Sequence, residues 1–267
     1  MTTIASETAP QRSGLAHPEA QPITAQLSAA GSVRRELEDL LAAAPDDADR
    51  QTFRTLVTER NVTGKRSAAG RVQTWKNLRA RYVLDPSVPE FRMFRQHMAS
   101  SGNREERGLL CLLMMSRTDR LFREATINHI SPNLAGDRSD IPTDEVESEL
   151  ARLTSAYGTT WTESTLVTIR QHLLSALKDF AVLQGRRNKR TVAVNPTPAV
   201  IIFAAQLGKL ECLTDRQVLD ARWYRLLGLS HAAVVERLYA AAQRGAIQFR
   251  MQAEVVELKL PGLEAES

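Results

Sequence analysis

Apolar residues recur at helical spacing through most of this chain and change to strict alternation only near its end. That pattern predicts a succession of amphipathic helices closed by a β-hairpin. Leu37, Leu40 and Leu41 mark a helix over 34–43, and Phe53, Leu56 and Val57 mark another over 50–57. A third begins after Ser67, which has N-cap chemistry, with Val72, Trp75, Leu78 and Tyr82 as its apolar stripe. Asp85, Pro86 and Pro89 end it, and Phe91, Phe94 and Met98 start the next short helix.

The stretch from Leu109 to Phe122 is apolar around a polar break at Ser116-Arg117-Thr118-Asp119-Arg120, which fits one long buried helix or two in succession. Residues 131–142, with two prolines and Gly136, make the best linker. Beyond it lie a segment over 144–157 and a helix over 163–184, capped by Thr162 and stopped by Gly185. The last seventy residues predict helices over 198–207 and 215–226 and a third capped by Ser230. Ile247, Phe249 and Met251 then alternate, as do Val256, Leu258 and Leu260, around a turn at 252–254. Helix, helix, helix, hairpin is the order of a winged helix.

The expected fold is therefore mainly α. It comprises two helical domains with helix-turn-helix elements, the C-terminal one ending in a winged-helix β-hairpin. The domains are set at 32–135 and 136–267, after a leader over 1–31 whose Ala, Ser, Thr, Gln and Pro content predicts disorder.

Charge changes the picture at one place. Seven of the 35 Lys and Arg residues fall between Arg60 and Arg81, with no Asp or Glu among them, although the formal net charge is only +4. Like charges at this density repel unless a polyanion lies beside them. On a helix turned at 100° per residue, the side opposite the stripe carries Arg66, Gly70, Gln73, Thr74, Asn77 and Arg81, with Arg71 and Arg79 on its flanks. Arg, Gln and Asn can form paired hydrogen bonds to base edges. With Lys65 and Lys76 these residues form a candidate DNA-binding face on the third helix of a helix-turn-helix. The alternative is a basic surface helix on an ordinary bundle. A second cluster, Arg186, Arg187, Lys189 and Arg190, follows the 163–184 helix. Part of it complements the helix dipole and the remainder suits phosphate contacts. In the C-terminal module, the third helix offers Arg237 and Arg244 but also Glu236, which suits protein contacts or folding better than groove reading.

No catalytic or metal chemistry is expected. The five histidines (His17, His97, His129, His172 and His231) stand singly, and no metal-ligand spacing, Walker loop, dinucleotide fingerprint or nucleophile elbow occurs. No cofactor is implied. Cys111 and Cys212 lie in apolar surroundings far apart, as reduced thiols of a cytoplasmic protein do. The longest apolar runs are far below the roughly 20 residues a membrane span needs.

The succession R-N-V-T-G-K-R-S-A-A-G-R-V-Q-T-W-K-N-L-R-A-R-Y, the apolar L-L-C-L-L-M-M-S-R-T-D-R-L-F-R-E and the closing R-G-A-I-Q-F-R-M-Q-A-E-V-V-E-L resemble the BrxA family of BREX phage-exclusion systems over about 34–260. The resemblance implies a small, non-enzymatic DNA-binding component encoded beside a methyltransferase, a phosphatase-like protein and ATPases, with helix-turn-helix elements in both halves. The leader looks like an addition to that pattern. Function is thus expected to be double-stranded DNA binding, mainly through phosphates and with weak sequence preference. The alternatives are an assembly adaptor that meets acidic partner proteins, or a sequence-specific regulator.

Overall fold

The computed structural model describes residues 14–135 and 140–263, and within them the protein is mainly helical. The N-terminal half is built from α1 (Arg34–Ala43), α2 (Arg50–Thr58), α3 (Ala68–Tyr82), α4 (Pro89–Ser100) and α5 (Arg104–Thr118). α2, α3 and α5 start where a side-chain oxygen accepts from their free N–H groups. Asp49 accepts from Thr52, Ser67 from Gly70 and Asn103 from Glu106. Their apolar faces meet in an aromatic core, where Phe53 lies edge-on to Phe91 at 5.6 Å and Tyr82 stacks on Phe94 at 5.8 Å.

α5 is the central rod, with every residue from Gly108 to Arg117 buried. A Cβ on Gly108 would stand 2.7 Å from the Phe180 carbonyl, so only glycine allows this approach. The polar break resolves the sequence alternatives in favour of two helices. Asp119 leaves helical geometry and caps α6 (Arg120–Ala125) by accepting from Phe122 N–H at 3.0 Å. A π-helical turn, Thr126–Ile130, leads into α7 (Ser131–Ala135). The expected linker is thus helical over its first residues; Gly136 and the residues to 139 lie outside those described.

The second half contains β1 (Asp140–Ile141), α8 (Thr143–Ala156), α9 (Glu163–Asp179), β2 (Leu183–Gln184) and β3 (Lys189–Thr191), the strands forming a small antiparallel sheet in the order β1-β3-β2. Thr162 caps α9 as expected, but the helix ends earlier than Gly185. Ala181 takes the left-handed conformation at φ +61°, and the chain turns into a strand. Gly185, at φ +94°, instead serves the β2–β3 hairpin, where a Cβ would collide with the Asn188 carbonyl.

α10 (Pro198–Leu210), buried from Val200 to Gly208, packs on α4, α5 and α13 (His231–Gln243), so one core runs from the first half into the last. Phe94 and Phe203 meet across this junction at 6.0 Å. The expected helix over 215–226 is two short ones, α11 (Asp215–Val218) and α12 (Arg222–Leu226), parted by a turn at Leu219 and Asp220. Ser230 caps α13, and β4 (Gln248–Gln252) pairs with β5 (Val255–Lys259) around a two-residue turn, Ala253-Glu254.

The leader is the main correction. Residues 14–31 are ordered on the helical body, with turns of 3-10 helix at Pro18–Ala20 and Ala25–Ser28 and with Ile23 and Leu27 buried. Guanidinium groups hold this strap by its carbonyls. Arg117 donates to Leu15 and Ala16, Arg120 to Glu19 and Gln21, Arg123 to Pro18, and Arg81 to Gln26, Ala30 and Gly31. Composition alone predicts disorder because the strap brings few apolar groups of its own. Its order comes from donors far away in sequence. Residues 1–13 lie outside those described.

Candidate nucleic-acid interface

The segment joining α2 to α3 is fixed by its own backbone. Asn61 (φ +54°) and Gly64 (φ +64°) both turn left-handed, and the Asn61 side chain accepts from Lys65 N–H at 2.8 Å. Arg71, one turn into α3, donates through Nε to the Thr58 carbonyl at 2.8 Å and ties the end of α2 to α3. α3 thus sits across a stiff corner, as the third helix of a helix-turn-helix does.

The helix is rotated relative to the sequence expectation. Its buried side is Thr74, Trp75, Leu78, Arg81 and Tyr82, while Val72 is 44% exposed. Arg81 therefore leaves the candidate face. It is 1% exposed, its guanidinium is spent on the strap carbonyls, and burial lowers its pKa below the ordinary arginine value. Thr74 is also turned in, donating to the Gly70 carbonyl. The rotation follows from the strap, which offers Arg81 three carbonyls in the interior that no sequence pattern announces.

The remaining candidates fall into two groups. Lys65 is half-buried and paired with Glu36 at 2.6 Å, and Arg71 is committed to Thr58. Gln73 donates to Asn77 Oδ1 at 3.0 Å, which locks the two amides into one unit. Arg66, Lys76 and Arg79 are exposed, and no hydrogen bond or ion pair is formed by any of the three side chains among the described residues. Lys76 and Arg79 share an outer face of α3 with Val72 and Gln73 that carries no carboxylate, and Arg66 stands just before the helix N-cap. Their mutual repulsion is weakened by water and salt and relieved further when an anion lies against them.

The second cluster is not at a helix end. Arg186, Arg187 and Asn188 form the exposed tip of the β2–β3 hairpin, Lys189 donates to the Gly185 and Arg186 carbonyls, and Arg190 pairs with Asp140 at 2.9 Å. Burial lowers the Lys189 pKa, and Lys178 nearby adds to the effect. Arg186 and Arg187 are left as the free cations of this hairpin.

The two thiols differ: Cys111 is buried, whereas Cys212 is free and exposed rather than the core thiol its apolar sequence surroundings suggest. Burial pushes the Cys111 thiol up to about 12, and His97 is held against Gln206 at 2.9 Å. Among the described residues no cluster of His, Cys, Asp and Glu is arranged to hold a metal ion. Nor is any helix long and apolar enough to cross a membrane.

The BrxA family model matches residues 22–208. The chain belongs to the BrxA family. It is thereby a component of BREX phage-defence systems. The BrxA match takes in α1 to α10, and with them both basic clusters and most of the strap, whereas residues 14–21 and the closing helices and hairpin lie outside it. The fold is similar to that of an uncharacterized protein from Magnetospirillum magneticum, with a TM-score of 0.59 at 12% identity over 76% of this chain and 98% of that one. No curated protein matches the chain.

Proposed function

We propose that this BREX component binds double-stranded DNA through the outer face of α3, mainly by phosphate contacts, and carries no catalytic site of its own. The observation that carries the proposal is Lys76 and Arg79, exposed on a face of α3 without a carboxylate, with Arg66 exposed just before the helix N-cap, all three unpaired among the described residues. Three features support it. The corner that presents α3 is rigid, since Arg71 and Asn61 fasten it. The locked Gln73–Asn77 pair lies beside the cations and offers amide groups to a groove. Arg186 and Arg187 at the hairpin tip supply further cations suited to the sugar-phosphate backbone. Both cysteines are free, in keeping with a cytoplasmic protein, which is the compartment we assign.

Phosphate-dominated binding has a measurable signature. The logarithm of the affinity for a random duplex falls linearly with the logarithm of salt concentration, by about 0.9 per phosphate neutralised. Purified full-length protein titrated with fluorescent duplexes of unrelated sequence is expected to show this slope and similar affinities. A preference of about 10³-fold for one sequence with a shallow slope would indicate an operator-binding regulator instead. Absence of binding at low salt would leave the basic face to an acidic protein partner.

A further inference from the structure

Of the apolar stripe expected on α3, Val72 alone lies outside the core. A β-branched side chain is a weak helix former, and here it is 44% exposed on the outer face rather than packed in the core. On the same helix face stand Lys76 and Arg79, unpaired among the described residues, with the small exposed residues Ala68 and Ala69 one turn before it. A charged rim around an apolar centre matches a phosphate-walled groove with a methyl group on its floor. The amides next to it complete the match. Because Gln73 Nε2 donates to Asn77 Oδ1, the Gln73 carbonyl oxygen stays free as an acceptor. In the major groove an A·T pair presents the adenine N6–H donor and the thymine C5-methyl group, while a G·C pair offers a donor on cytosine but no methyl.

We infer that Val72 is a specificity-determining residue that contacts the thymine C5-methyl group in the major groove and gives the α3 face a modest preference for A·T pairs. The inference rests on the proposed DNA binding and adds a base-selective contact to it. The preference is small because one methyl contact is set against many phosphate contacts, which are blind to sequence.

The test uses the full chain and two duplexes of the same alternating A·T sequence, one with thymidine and one with deoxyuridine, which lacks only the methyl group. The wild-type protein is expected to bind the thymidine duplex about three- to fivefold more tightly for each methyl contacted, as burial of one carbon unit implies. Val72→Ala, an exposed substitution that leaves the core intact, is expected to bind both duplexes alike. Equal wild-type affinity for the two duplexes, with a normal salt slope, would overturn the inference while DNA binding stands. The same discrimination retained by Val72→Ala would assign it to duplex shape and also overturn the inference. No binding to either duplex would defeat the DNA-binding proposal itself.

Discussion

The arginines of α3's outer face and those beneath the N-terminal strap have the same chemistry and opposite employment. Arg66 and Arg79 stand in solvent with no partner, whereas Arg81, Arg117 and Arg123 are at most 2% exposed and surrounded by carbonyl oxygens. Arg117 donates to two strap carbonyls and meets Glu90 at 2.8 Å, with both side chains 2% exposed. Arg123 donates to Pro18 and Ser116. A buried guanidinium is costly unless most of its donors find acceptors, and the strap supplies them at the terminal nitrogens of Arg117. Two residues along one helix are enough to separate the two fates, since Arg79 faces outward and Arg81 inward. Positive charge in a sequence therefore marks a ligand surface only where the fold supplies no carbonyl to absorb it.

The largest expected effect comes from breaking the inner set. Arg117→Ala would leave Glu90 buried without its partner and free two strap carbonyls, a loss of about 3–5 kcal/mol in urea unfolding. A loss below about 1 kcal/mol would show that the strap is not held as described. Arg81→Ala and Arg79→Ala form the sharpest pair. The former is expected to cost about 2–3 kcal/mol, because several buried acceptors lose charged donors, and the latter to stay within about 0.5 kcal/mol of wild type. Equal melting temperatures for the two variants would erase the distinction.

How much of this was legible in the sequence depends on how local each cause is. The caps at Ser67, Thr162 and Ser230 are read correctly because a side-chain oxygen acts on N–H groups only three residues ahead. The β4–β5 hairpin follows from strict alternation, and the break at Asp119 from polarity. The end of α9 is missed because Ala181, not a glycine, takes the left-handed turn. The strap and the rotation of α3 are missed for one shared reason. The groups that order residues 14–31 lie on α3, α5, α6 and α9, as distant in sequence as Arg123 is from Pro18 and His172 from Leu27, and no periodicity records such pairings. Of the expected site, Lys76 and Arg79 on one face of α3 and Arg66 just before it have no partner among the described residues, Arg81 is turned inward, and Lys65, Arg71 and Arg190 have structural partners.

Smaller effects sharpen the contrast at its edges. Lys65→Ala removes a half-exposed ion pair with Glu36 and is expected to cost no more than about 1 kcal/mol; a larger loss would place Lys65 with the structural cations. His97 is half-buried against Phe203 and Gln206, and that burial lowers its pKa below 6.5. Below that value the unfolded chain binds the proton that the folded chain refuses, so this histidine lowers stability as pH falls through 6.5 and below. A wild-type protein less stable at pH 5.5 than at pH 7.5, with the difference reduced in His97→Gln, is the expected result. An unchanged difference in the variant would place the titration elsewhere.

The most direct test of the outer face is the triple variant Arg66→Ala, Lys76→Ala, Arg79→Ala, titrated with a random duplex over a range of salt concentrations beside the wild type. The predicted result is an unchanged unfolding curve, an affinity loss on the order of a hundredfold at low salt and a log–log salt slope shallower by about 0.9 for each phosphate contact removed. A folded triple variant that binds duplex DNA with wild-type affinity and slope would contradict the assignment of α3 as the DNA-binding helix.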